Sequence, residues 1–336
     1  MGGWLSKTWL QTLLKILITA LLIAWLVNDD RLNLESVRFI WQNPSILSMT
    51  LIVWFFGNLV LCGYRWISLI EALGLKVKLA VGMKLTAIGL LFNTIMPGAV
   101  GGDLVKALYV CRGHSATKRT AVLYSIFLDR VLGLYALLTI GTIGVLLGWN
   151  SIQSNVGLAS IAAFVVGAFF CGLFFGSLAL FLAKKRKSFR VMRTLESKVK
   201  QFPRLAGLIL PLKTFFKNPP AILRAYGAAL IHQFLLFSLF LQVSYVLAPE
   251  LHNWRLLAAV LPAGIVATAI PLAPGGLGVG HVAFDSIYRL LGVAAGADIF
   301  NVVIFGQLAL NFLGLLPYML NRTQYTQVED LAHATP

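Results

Sequence analysis

The chain has 336 residues, of which 58% are hydrophobic and 12% charged, with a mean hydropathy of +0.82. Soluble globular domains carry about 25% charged residues, so half that share cannot cover a soluble surface of this size. The apolar residues also fall in long blocks, which excludes a soluble enzyme, a disordered chain and a fibrous protein and leaves an all-α polytopic membrane protein.

A helix needs about 20 mostly apolar residues to cross roughly 30 Å of hydrocarbon. Six stretches meet this standard: residues 10–27, 47–64, 121–148, 156–182, 225–248 and 298–320. The first resembles a signal peptide, but it closes as Ala24-Trp25-Leu26-Val27-Asn28 without a small-x-small cleavage site, so it is expected to remain as a span. Two further apolar stretches end in glycine and proline. Residues 79–95 run into Pro97-Gly98-Ala99-Val100-Gly101-Gly102, and residues 256–273 into Pro274-Gly275-Gly276-Leu277-Gly278-Val279-Gly280. Such runs end a helix, and backbone freed inside a bilayer must be buried in protein or line a wet cavity. Both stretches therefore read as re-entrant or broken helices.

The two glycine turns share the pattern Pro-Gly-x-apolar-Gly in matching contexts. They imply an inverted repeat, residues 1–148 and 156–320, joined by a short external turn at 149–155 and followed by a tail at 321–336. Loop charge orients it. Twelve of the 28 Lys and Arg residues lie between Lys184 and Arg224 against one acid, Glu196, whereas residues 149–155 carry none. Both termini and the 184–224 loop are then cytoplasmic. The basic loop reads as a surface for anionic lipid, not nucleic acid, and Lys184 to Gln201 reads as an amphipathic surface helix.

Charged groups within apolar spans are costly, at roughly 2.5–3.5 kcal/mol each on insertion scales, and are paired or functional. Asp103 and Lys106, three apart after the first turn, fit either a mutual ion pair at a helix start or a polar lining that meets an anionic headgroup. Asp129 and Arg130 are adjacent, so they point about 100° apart on a helix and each needs a partner on another helix. Arg65, Lys84, Lys106 and Asp103 are available. Arg130 fits either a structural bridge or a fork onto lipid phosphate. Arg65-Trp66 closes the second stretch, as an interfacial anchor pair does. His281, Asp285 and Arg289 form a stripe at four-residue steps that mirrors Asp103 and Lys106 and fits either a self-satisfied ion pair or a protonatable His281 near the cavity. His232 reads as a packed, hydrogen-bonded histidine. Cys62, Cys111 and Cys171 show neither metal spacing nor a disulfide pattern. No GxxxxGK[ST], HExxH or GxSxG motif occurs, so no cofactor, metal or built-in ATPase is expected.

Taken together, Tyr64-Arg65-Trp66, the segment Phe92-Asn93-Thr94-Ile95-Met96-Pro97-Gly98-Ala99-Val100-Gly101-Gly102-Asp103, Asp129-Arg130-Val131-Leu132-Gly133 and Pro271-Leu272-Ala273-Pro274-Gly275-Gly276-Leu277-Gly278-Val279 resemble the lysylphosphatidylglycerol synthase/flippase transmembrane-domain family over roughly residues 10–320. The resemblance implies a multi-pass bacterial inner-membrane protein, similar to the flippase half of multiple-peptide-resistance-factor proteins, which moves aminoacylated phosphatidylglycerol between leaflets. It places Asn93, Pro97, Gly101, Gly102, Asp103, Asp129 and Arg130 on the family's polar core. The chain ends at Pro336 without an aminoacyl-transferring domain, so it is not expected to make the lysyl-lipid. Where many relatives carry an arginine-glutamate pair after the second turn, this chain has Gly280-His281.

The expected function is leaflet-to-leaflet movement of a phospholipid or related anionic or aminoacylated lipid. Asn93, Gly101, Gly102, Asp103, Lys106, Asp129, Arg130, Arg65, His281 and Asp285 are the substrate-binding candidates. The rivals are an intramembrane lipid-headgroup enzyme and a non-transporting envelope assembly partner.

Overall fold

In a computed structural model, residues 34–73, 75–95, 101–111, 116–184, 215, 218–251, 253–269, 278–320 and 329–330 are described. The expected first span at 10–27, the turn residues 96–100 and 271–277, the basic stretch 185–214 and most of the 321–336 tail lie outside them. The described part is almost entirely helical: α1 (Leu34–Gln42), α2 (Pro44–Ala72), α3 (Leu79–Ile95), α4 (Gly101–Cys111), α5 (Ala116–Ile152), α6 (Val156–Lys184), α7 (Pro219–Leu247), α8 (Trp254–Thr268), α9 (Val279–Leu290) and α10 (Gly296–Leu320). A two-residue antiparallel pairing sets Leu75 opposite Asp330 and Lys76 opposite Glu329.

Five of these helices, α2, α5, α6, α7 and α10, are long and apolar enough to cross a membrane; α3 and α8 are shorter apolar helices. The element order pairs the halves. Two short helices (α3–α4) precede span α5, and two more (α8–α9) precede span α10. Local chemistry sets the ends. Pro44 opens α2 and Pro219 opens α7, each after an asparagine, where a missing N–H costs nothing. The Asn253 side chain accepts from the Arg255 and Leu256 amides to start α8. Gly278, at φ +82°, leads into α9, a conformation that L side chains rarely adopt.

Of three hydrophobic clusters among the described residues, two sit at opposite ends of α2 and α5. One gathers Ile46 and Val53 of α2, Val145 and Ile152 of α5, and residues of α7 to α10. The other gathers Trp66, Ile67 and Ile70 of α2, Val122 of α5, Leu85 and Ile88 of α3, and Val110 of α4. Thus α2 and α5 run antiparallel, and the broken pairs α3–α4 and α8–α9 dock at their opposite ends. Small residues allow the docking. A Cβ on Gly144 of α5 would fall 2.5 Å from the Ala259 backbone nitrogen of α8, and one on Gly141 2.7 Å from the Pro262 ring. Close approach through small residues is the usual basis of helix association in lipid, where no hydrophobic drive separates helix from acyl chain.

Candidate functional site

At the α3–α4 end, five charged side chains converge from three helices. Arg65 of α2 donates to Asp129 of α5 through both faces of its fork, Nε to Oδ1 at 2.5 Å and Nη2 to Oδ2 at 2.8 Å. Both side chains are about nine-tenths buried. Arg130, one residue on, turns to α4 and donates from Nε to Asp103 Oδ2 at 2.7 Å. The adjacent pair on α5 thus reaches two different helices, as the 100° rotation requires. Lys106, one turn after Asp103, holds its ammonium 3.9 Å from Asp103 Oδ1 and 5.5 Å from the centre of the Trp66 ring. The Trp66 indole in turn donates to Ser125 Oγ at 3.1 Å.

Glycine and asparagine build the floor. The Gly102 amide donates to Asn93 Oδ1 at 2.8 Å, which satisfies one of the orphan donors at the start of α4. Helices α3 and α4 cross backbone to backbone: a Cβ on Gly102 would lie 2.0 Å from the Gly89 carbonyl oxygen, and one on Gly89 2.8 Å from Lys106 Cε. Gly102→Ala must therefore force α3 and α4 apart. A stability loss of at least about 1–3 kcal/mol is expected from overpacking alone, seen as a lowered thermal midpoint of the detergent-purified protein. On α5, Gly133 leaves room for the Arg65 guanidinium, since a Cβ there would sit 3.1 Å from Nη1.

Arg65 is where the structure departs from the sequence reading. It is not an interfacial anchor: α2 continues to Ala72, and Arg65 and Trp66 are buried at 7% and 1% exposure. Asn93, Gly101, Gly102, Asp103, Lys106, Asp129, Arg130 and Arg65 come together. His281 and Asp285 do not join them. The His281 ring accepts from the Gly278 amide at Nδ1 (3.2 Å) and bonds Asn301 Oδ1 of α10 through Nε2, which caps α9. Asp285 accepts from Arg289 at 2.8 Å on an exposed face. Helix α9 packs on α8 and α10, while α4 packs on α3 and α5.

A second polar array is uncharged and was missed. Between Val53 and Leu61, α2 widens into a π-helix, a form that recurs at functional sites. Trp54 donates to Asn311 Oδ1 at 3.0 Å and Asn58 to Gln307 Oε1 at 2.7 Å. The chain extends through His232 Nε2 to Asn58 Oδ1 (2.9 Å), and from Asn311 Nδ2 to Thr94 Oγ1 of α3 (3.1 Å). Gln307 and Asn311 stand four apart in an apolar span, on one helix face, which is the signal that was available. Their links tie α3 to α2 and α10. Among the described residues no group of three His, Cys, Asp or Glu side chains is arranged to hold a metal ion.

The model of the lysylphosphatidylglycerol synthase TM region matches residues 12–316. UPF0104 membrane protein PH1989 of Pyrococcus horikoshii is 22% identical over 309 residues, which cover 85% of this chain and 88% of that protein. No solved structure matches the chain. With nearly its whole length matched, the chain belongs to the lysylphosphatidylglycerol synthase transmembrane-region family.

Proposed function

We propose that this membrane protein carries a phospholipid between leaflets, with the headgroup passing over the Asp103–Arg130 pair while the acyl chains remain in the bilayer. One observation carries the reading. Arg130 bonds a carboxylate that is 90% buried, yet its own side chain is 46% exposed, and it emerges among exposed apolar residues. Phe127 and Val131 flank it on α5 at 61% and 42% exposure, with Leu104 and Leu108 on α4 at 50% and 65%. A cation that opens sideways through a lipid-facing wall suits an amphiphile: the guanidinium forks onto phosphate, and the apolar wall meets the chains. The family name supplies the membrane-lipid setting.

The two broken pairs, docked at opposite ends of α2 and α5, support the inverted repeat of transporter folds. In this reading both termini are cytoplasmic, and the α3–α4 pair enters from that side. The pairing of residues 75–76 with 329–330 sets the end of α2 and the tail on one face. The chain acts as a transporter, not an enzyme, and works in the cell membrane.

Leaflet exchange of labelled phosphatidylglycerol in vesicles with purified protein tests the reading. Arg130→Gln should slow exchange about ten- to hundredfold, the worth of charge-assisted hydrogen bonds of about 1.5–3 kcal/mol. Full-rate exchange by Arg130→Gln at equal folded content would sink it.

A further inference from the structure

Among the described residues the charge cluster carries one more cation than carboxylate. Arg65, Lys106 and Arg130 supply three cations; Asp103 and Asp129 supply two carboxylates. Two bonded pairs account for both acids, Arg65 with Asp129 and Arg130 with Asp103. Two other carboxylates are engaged elsewhere, Glu71 with Arg224 at 3.7 Å and Asp285 with Arg289 at 2.8 Å.

Lys106 is the remainder. Its side chain is 90% buried. An ammonium has three protons to donate, yet among the described residues no acceptor stands within hydrogen-bonding distance of Nζ; the carboxylate within reach is Asp103, at 3.9 Å. The face of Trp66 at 5.5 Å attracts the cation but accepts no conventional hydrogen bond. Buried charge is retained where it is paired and hydrogen-bonded. Lys106 is positioned for an acceptor that the fold itself does not provide.

We infer that the site selects a headgroup with one net negative charge, a phosphodiester without a compensating amine, and discriminates against zwitterionic and lysyl-bearing headgroups. The inference rests on the translocation reading for the route by which the lipid arrives. One phosphodiester anion offsets the single excess positive charge among these five side chains and gives Lys106 its missing acceptor. A zwitterionic headgroup restores no balance, because its amine brings the excess back. A lysyl ester adds two ammonium groups to one phosphate and raises the excess. The half-exposed Arg130 and the apolar wall beside it make the source of the phosphate a lipid, not the free anion.

The experiment uses the full-length protein in phosphatidylcholine vesicles and follows exchange of labelled phosphatidylglycerol, phosphatidylcholine and lysylphosphatidylglycerol. Phosphatidylglycerol should move at least about tenfold faster than either of the others, a modest difference in free energy for one buried charge. Lys106→Gln should bring the phosphatidylglycerol-to-phosphatidylcholine ratio near parity, and Lys106→Arg should keep it. Lysylphosphatidylglycerol moving as fast as phosphatidylglycerol, or an unchanged ratio in Lys106→Gln, overturns the inference.

If no headgroup moves, translocation itself fails, and binding decides the charge question separately. Dioctanoyl forms of the same lipids are titrated into detergent-purified protein while the fluorescence component lost in Trp66→Phe is followed. Binding of the phosphatidylglycerol form about tenfold tighter than the lysyl form upholds the selectivity; equal affinity overturns it. Displacement of the lipid by an equal concentration of inorganic phosphate also overturns it, since the ligand is then the soluble anion.

Discussion

Arg65→Met should lower the stability of the folded bundle by about 3–5 kcal/mol, the range for stranding one member of a buried ion pair. The substitution leaves the Asp129 carboxylate nine-tenths buried without the two charge-assisted bonds at 2.5 and 2.8 Å that now hold it. Arg65→Met with Asp129→Leu should recover most of the loss, because two apolar groups of similar volume need no compensation there. Reversible unfolding in mixed detergent micelles measures both. A double variant as unstable as the single one would mean that the pair has partners beyond each other. The Arg130–Asp103 pair, at similar length, should behave differently. With Arg130 46% exposed, water and headgroups replace what the substitution removes, so Arg130→Gln should cost at most about 1 kcal/mol of stability while exchange falls steeply. That contrast separates a bond that holds the bundle from one that meets the lipid.

Much of this architecture is legible in the residues. Apolar length marks five of the spans that the structure shows, and each glycine-rich break falls between two short helices. The adjacency of Asp129 and Arg130 alone requires partners on two different helices. The choice of partner is not legible, because Arg65 lies 64 residues away and the pairing depends on how α2 and α5 cross. Arg65 reads as an anchor for a physical reason: a basic–aromatic pair at the end of an apolar run has the same local pattern whether the helix stops at the headgroups or continues, buried, to Ala72. The neutral array around Trp54, Asn58, Gln307 and Asn311 escapes for another. A single amide in a span is cheap enough to pass unnoticed, and its role emerges only when the widened turns of α2 bring four helices to it. His281 and Asp285 are visible as a stripe, but their separation from Asp103 follows from the docking of α9 at the far end of α5, which is a property of packing and not of spacing.

Asp103→Asn should tighten phosphatidylglycerol binding and slow its exchange, an opposition that neither a damaged fold nor a passive surface produces. Asp103 now occupies the Arg130 fork at 2.7 Å and lies 3.9 Å from Lys106, so an arriving phosphate must displace a carboxylate to claim either cation. Removing that competitor, worth about 1.5–3 kcal/mol as a charge-assisted bond, should raise affinity about ten- to hundredfold. The same carboxylate takes Arg130 back as the lipid leaves. Without it the headgroup stays in a well with no counterweight, and turnover falls even as occupancy rises. The asparagine keeps the shape and a hydrogen-bond acceptor in the first turn of α4, so the Gly102–Gly89 crossing is not disturbed. Titration of short-chain phosphatidylglycerol into the purified variant, set beside exchange in vesicles, measures the two effects. Binding and exchange that fall together would return Asp103 to a purely structural role; binding that rises while exchange falls identifies it as the group that releases the lipid.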